Sequence, residues 1–205
     1  MLRIQRLIHL PSAGKLLAPV MGLALASAAQ AQILDYQAVL TGPNESPPNA
    51  SPATGFADVE YNSSAHTLAV NVTFSGLLGS STASHIHAAT ASPGTGTAGV
   101  ATTTPYFTGF PIGVTSGSYN ATLDLTQSSS YNPAFITANG GTTASAEAAL
   151  TSAIAADEAY LNIHSSVFPG GEIRGFLVLV PEPSSLALLA LGGAALWLRR
   201  RQTAA

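Results

Sequence analysis

The 205-residue chain contains no cysteine. That excludes disulfides, thiolate metal ligands and thiol nucleophiles together. Charge is also scarce: Asp, Glu, Lys and Arg make up 8% of the residues, and there are two Met and one Trp. The scarcest feature is basic charge in the body of the chain. Of seven Lys and Arg residues, six lie before residue 32 or after residue 180, leaving Arg174 as the one base between. Against it stand nine carboxylates: Asp35, Glu45, Asp58, Glu60, Asp124, Glu147, Asp157, Glu158 and Glu172, for a formal charge of −8 rather than the −3 of the whole chain. A body this poor in Lys and Arg is unsuited to nucleic acid or anionic lipid, both of which need clustered cations. No serine stands in a G-x-S-x-G context. The run Gly94-Thr95-Gly96-Thr97-Ala98-Gly99 lacks the strand–loop–helix setting of a dinucleotide loop.

The two ends carry what the body lacks. Residues 1–31 hold Arg3, Arg6 and Lys15 with no acidic residue, then an apolar run over 16–29 and Ala29-Gln30-Ala31. This is the layout of a signal peptide, with cleavage expected between Ala31 and Gln32. An uncleaved membrane helix is the alternative, but the run is shorter than the ~20 residues a span needs. At the other end come Pro181-Glu182-Pro183, an apolar stretch over 186–198, and Arg199-Arg200-Arg201. Prolines end the preceding strand, and the arginines favour the cytoplasmic side of a membrane. The order of these three features resembles the PEP-CTERM sorting signal of Gram-negative bacteria. That resemblance implies export, transient inner-membrane insertion at the C-terminus, recognition near Pro-Glu-Pro by an exosortase-type enzyme, and a final place at the cell surface or outside the cell.

Three segments follow: 1–31 as signal peptide, 32–180 as one domain, and 181–205 as sorting or anchor segment. The domain has enough residues for a real core. Period-2 alternation predicts strands over 33–40, 55–61, 66–74, 84–88, 119–125, 158–165 and 171–180. The clearest is 66–74, with Leu68, Val70, Val72 and Phe74 on one face. Asn62-Ser63-Ser64 makes a hairpin of the second and third. Between Thr142 and Asp157 the pattern turns alanine-rich, with Ala146, Leu150, Ile154 and Asp157 near helical spacing and Thr142 or Thr143 as N-cap. The expected fold is all-β, an antiparallel β-sandwich with one inserted alanine-rich helix. The stretch 91–118 carries no clear pattern.

Four segments carry a resemblance: Tyr36 to Pro48 (YQAVLTGPNESPP), Ser84-His85-Ile86-His87, Ala159 to His164 (AYLNIH), and Phe168 to Gly175 (FPGGEIRG). In this order they resemble a CHRD domain, the module named after chordin and also found in microbial exported proteins, over roughly residues 33–179. The resemblance implies an immunoglobulin-like β-sandwich and no established catalytic activity. Two departures are visible: the turn after His-Ile-His is lengthened by Ala88 to Pro93, and the alanine-rich segment is an insertion.

One polar constellation draws chemistry. On a strand, residues i and i+2 share a face, so His85 and His87 project together about 7 Å apart at Cα. Asn162 and His164 share a face by the same rule, as do Glu172 and Arg174. Two readings stand. In the favoured one, these residues form a structural hydrogen-bond network in which Arg174 ties to the carboxylate two residues away. In the other, His85, His87 and His164 bind copper or zinc, since imidazole suits both metals. An exported sandwich with His-x-His is similar to copper–zinc superoxide dismutase, although that protein needs more histidines and an aspartate ligand. His66 has no motif around it and reads as a surface residue.

The expected function is therefore a non-enzymatic surface or matrix module, without a cofactor, that binds an exopolysaccharide or a surface protein or serves structurally. The alternative is an extracytoplasmic copper- or zinc-binding protein, as a plain metal binder or as a redox enzyme.

Overall fold

The computed structural model describes residues 33–181. The signal peptide with its Ala31–Gln32 cleavage point, and the sorting segment from Glu182 through Arg199, Arg200 and Arg201, lie outside the described residues.

Eight strands are present: β1 (Ile33–Thr41), β2 (Thr54–Asn62), β3 (Thr67–Ser75), β4 (Ser81–His87), β5 (Gly117–Asp124), β6 (Tyr160–Ser165), β7 (Ile173–Phe176) and β8 (Val178–Leu179). They hydrogen-bond in the order β4-β6-β7-β1-β2-β3-β5, with β8 also pairing β1. Every strand pair is antiparallel. The all-β expectation holds, and the sandwich-like domain is built from one continuous curled sheet.

Alternation sets the faces. Leu68, Val70, Val72 and Phe74 of β3 are buried, as are Tyr36, Ala38 and Leu40 of β1 and Ala57 and Val59 of β2. Their neighbours Val39, Asp58 and Asn71 point the other way, because successive side chains on a pleated strand alternate. The hairpin expected at residues 62–64 joins β2 to β3 in full register, from Asn62 opposite Thr67 to Thr54 opposite Ser75. On β6 both faces are covered. Leu161 and Ile163 join the core, while Tyr160 and Asn162 on the opposite face are buried as well.

The covering comes from the patternless stretch between β4 and β5. Its backbone runs along the free edge of β4: Ala101 N donates to Ile86 O at 2.9 Å, Phe107 N to Ser84 O at 3.0 Å, and Gly113 N to Ser81 O at 2.9 Å. An exposed sheet edge is thereby closed by a loop. A polar face of the sheet becomes a covered one.

The helical region holds a finding that alternation did not predict. Two α-helices occur among the described residues, α1 (Pro133–Ala138) and α2 (Thr143–Ala155). α1 starts where Asn132 caps Ala134 N at 3.0 Å and Pro133 occupies the first turn. Six residues are too few to show a period. α2 is the expected alanine-rich helix, with Thr142 as N-cap bonded to Ser145 N at 3.1 Å. Ala146, Leu150 and Ile154 are buried as their spacing requires. Asp157 is not on that face: it lies beyond the helix end with φ 57°.

Two glycines of the Pro-Gly-Gly-Glu-Ile-Arg-Gly run have steric reasons. A Cβ on Gly175 would strike the backbone carbonyl of Val39, so glycine is what lets β7 approach β1. Gly171 has φ 129°, and a Cβ there would meet the Glu45 carboxylate.

Candidate functional site

The register of β4 against β6 assembles the site. His85 lies opposite Asn162, His87 opposite Tyr160, and Ala83 opposite His164. On the next strand Asn162 pairs with Arg174. His85, His87, Asn162, His164 and Arg174 therefore share one face across three strands, opposite the core.

His85, His87 and His164 each offer a ring nitrogen, and these atoms lie within 4.8 Å of one another. The ring centroids of His85 and His87 are 4.6 Å apart, and those of His85 and His164 are 4.9 Å apart. Each ring is oriented by a backbone carbonyl. His85 Nδ1 bonds Pro105 O at 3.0 Å, His87 Nδ1 bonds Ala98 O at 2.7 Å, and His164 Nδ1 bonds Pro169 O at 2.7 Å. A carbonyl only accepts, so all three Nδ1 atoms carry hydrogen. In a neutral imidazole the other nitrogen is then a bare lone pair.

Two of these atoms meet directly. His85 Nε2 and His164 Nε2 are 3.2 Å apart. His87 Nε2 is buried and has no hydrogen-bond partner among the described residues. Burial holds the rings neutral. The His85 pKa is lowered to about 3, first by desolvation and then by its two histidine neighbours, with the Pro105 bond acting in the opposite direction. Desolvation likewise lowers His87 and His164, each opposed by its own carbonyl bond. The arrangement gathers three neutral imidazoles, each with its Nδ1 hydrogen already placed, within 4.8 Å of one another.

Around this trio a stack continues. The Tyr160 ring lies on His87 at 4.6 Å with an interplanar angle of 10°. Arg174 lies over Tyr160, with Cζ 4.7 Å from the ring centroid. Nη1 of Arg174 donates to Gly96 O at 2.9 Å, and Nε donates to Asn44 O. The Gly96 bond holds the loop whose Ala98 carbonyl orients His87. Arg174 is thus tied into the site at one remove.

Glu172 is not part of the constellation. Its Oε1 accepts from Ser51 Oγ and from Leu78 N, both at 2.6 Å. The carboxylate beside Arg174 is Glu45, at 3.8 Å from Nε. The i, i+2 rule fails at this pair because Glu172 precedes β7, just after the turn at Gly171. Burial raises the Glu45 pKa to about 7, with Arg174 pulling it back down. Sequence reading passed over Glu45 and Tyr160, although both lie inside motifs it quoted. Glu45 lies among prolines outside any strand pattern, and Tyr160, two residues before Asn162, reads as an ordinary strand aromatic.

His66 stands apart. Its Nδ1 meets Glu147 Oε2 at 2.9 Å, its side chain is half exposed, and Tyr61 OH donates to Glu147 Oε1 at 2.9 Å. This cluster joins α2 to the β2–β3 hairpin.

Comparison with protein-family models matches two regions. Residues 36–177 match the CHRD domain, and residues 179–202 match the PEP-CTERM protein-sorting motif. Comparison with curated proteins and with solved structures gives no match. Neither matched family is catalytic. The sorting motif marks the protein for export to the cell surface by way of an exosortase, with transient anchoring of the C-terminus in the membrane. With most of its length matched, the chain belongs to the CHRD domain family and is an exosortase-sorted extracellular protein.

Proposed function

We propose that this protein is a non-enzymatic binding module of the bacterial surface, and that what it binds is a transition-metal ion, copper or zinc, held by His85, His87 and His164. One observation carries the reading: all three Nδ1 hydrogens are committed to backbone carbonyls, while the Nε2 atoms of His85 and His164 stand 3.2 Å apart and a nitrogen of each of the three rings lies within 4.8 Å of the others. Backbone carbonyls that fix the tautomer of a ligating imidazole are a recurring second layer of metal sites. A purely structural network fits less well, because two bare imidazole nitrogens at 3.2 Å repel unless a cation stands between them. At a metal–nitrogen distance of 2.0–2.1 Å, tetrahedral ligands sit about 3.3 Å apart, close to that separation. An exopolysaccharide or surface protein remains a partner for the rest of the domain, by association with the sorting signal.

Titration of the metal-stripped protein with Zn²⁺ and Cu²⁺ tests the reading. One equivalent should bind, and His85→Ala, His87→Ala and His164→Ala should each abolish stoichiometric uptake while leaving a folded domain. Uptake equal to wild type in all three variants would defeat it.

A further inference from the structure

Asn162 lies on the same face as the three histidines, opposite His85 and two residues before His164. It is 2% exposed, and its Oδ1 is buried with no hydrogen-bond partner among the described residues. A buried amide oxygen without a donor is costly, so it needs a reason. The amide lies beside the His87 ring, whose Nδ1 already bonds Ala98 O. Arg174, the neighbour of Asn162 on β7, directs Nε to Asn44 and Nη1 to Gly96. An unpartnered amide oxygen thus shares one face of the sheet with the three histidines, one of which, His87, has an unpartnered buried Nε2 as well.

We infer that Asn162 Oδ1 is the fourth ligand of the site, making it a centre of three imidazole nitrogens and one amide oxygen for a divalent ion. This rests on the metal reading of the three histidines. An oxygen donor decides between the oxidation states of copper: Cu⁺ favours soft sulfur ligands, whereas three nitrogens with a harder oxygen suit Zn²⁺ or Cu²⁺. The donor set is neutral throughout, so the bound ion keeps its full charge in a domain whose surroundings are acidic.

Co²⁺ is the probe, because its visible d–d bands report coordination number and ligand type. The exported protein, purified without a histidine tag, is compared with Asn162→Ala and Asn162→Asp. Asn162→Ala should weaken Co²⁺ and Zn²⁺ by about 10- to 100-fold, the range seen for partners that support a metal site, and should shift the visible bands. Asn162→Asp keeps the shape and restores an oxygen with charge, so it should bind at least as tightly as wild type, with bands moved by the carboxylate. A folded Asn162→Ala with wild-type affinity and spectrum overturns the inference and leaves the histidine site standing. It is also the result expected if the amide is flipped and its nitrogen donates to His87. If Asn162→Ala does not fold, a folded Asn162→Asp with unchanged affinity and spectrum overturns it equally. Wild-type protein that takes up neither ion removes the histidine reading and this one together.

Discussion

His85 and His164 face each other Nε2 to Nε2 at 3.2 Å, and each has already given its ring hydrogen to a carbonyl, Pro105 for one and Pro169 for the other. These rings sit on neighbouring strands whose register is set by the core on the other face, where Ile86 lies opposite Leu161. Hydrophobic packing thus fixes the distance between two polar groups that repel. The protein holds the pair together without any attraction of its own between them.

The lowered histidine pKa values make the metal-free domain sensitive to acid. Each ring has a folded value below the ordinary 6.5, His85 at about 3. Below pH 6.5 the unfolded chain therefore binds protons that the folded one does not, and stability falls as pH drops from 6.5 toward 3. Glu45 works the other way. Its value is raised from 4.5 to about 7, so between those limits the folded domain holds a proton the unfolded chain lacks. The two effects oppose each other, and removing the carboxylate leaves the histidines alone. Metal-free Glu45→Gln should therefore melt several degrees lower at pH 5 than at pH 7.5, a steeper loss than in the wild-type protein. Calorimetry across this range checks both, and a flat profile for the variant would contradict them.

Glu172 and the histidines separate stability from binding. Glu172 is fully buried and satisfies Leu78 N and Ser51 Oγ. Glu172→Ala leaves both without their acceptor and should cost on the order of 2–4 kcal/mol, since each donor left unpaired in the interior costs about 1–3 kcal/mol. Metal uptake per folded molecule should not change, because the side chain bonds away from the rings. Denaturant melts alongside zinc titration measure the two effects. A Glu172→Ala protein of full stability, or one that folds but binds no zinc, would be inconsistent with this assignment.

What strand spacing could say, it said well. His85 with His87, and Asn162 with His164, share a face because each pair lies within one strand. The pairing of β4 with β6 was not legible, because register depends on contacts between residues about 75 positions apart and on the core behind them. Glu172 with Arg174 went wrong where the strand had not yet begun. The loop that covers the site has no period at all, and its contribution is made by the carbonyls of Ala98 and Pro105, which any residue type supplies. The alanine-rich helix was visible through its cap and its Leu150 and Ile154 spacing, whereas six-residue α1 was too short to register.

The processing expected at both ends is open to direct mass measurement. The protein recovered from outside the cell should begin at Gln32 and lack the residues beyond the Pro-Glu-Pro region. Recovery of a form that retains Arg199, Arg200 and Arg201 would mean that the C-terminal segment stays as an anchor.

The metal content of the protein as its own cells export it tests the central claim most directly. Elemental analysis of that material, isolated without chelators and without a histidine tag, should find about one copper or zinc per molecule, and none in a strain carrying His85→Ala with His87→Ala. Protein that is folded, exported and free of both metals, and that takes up neither on exposure, would contradict the account.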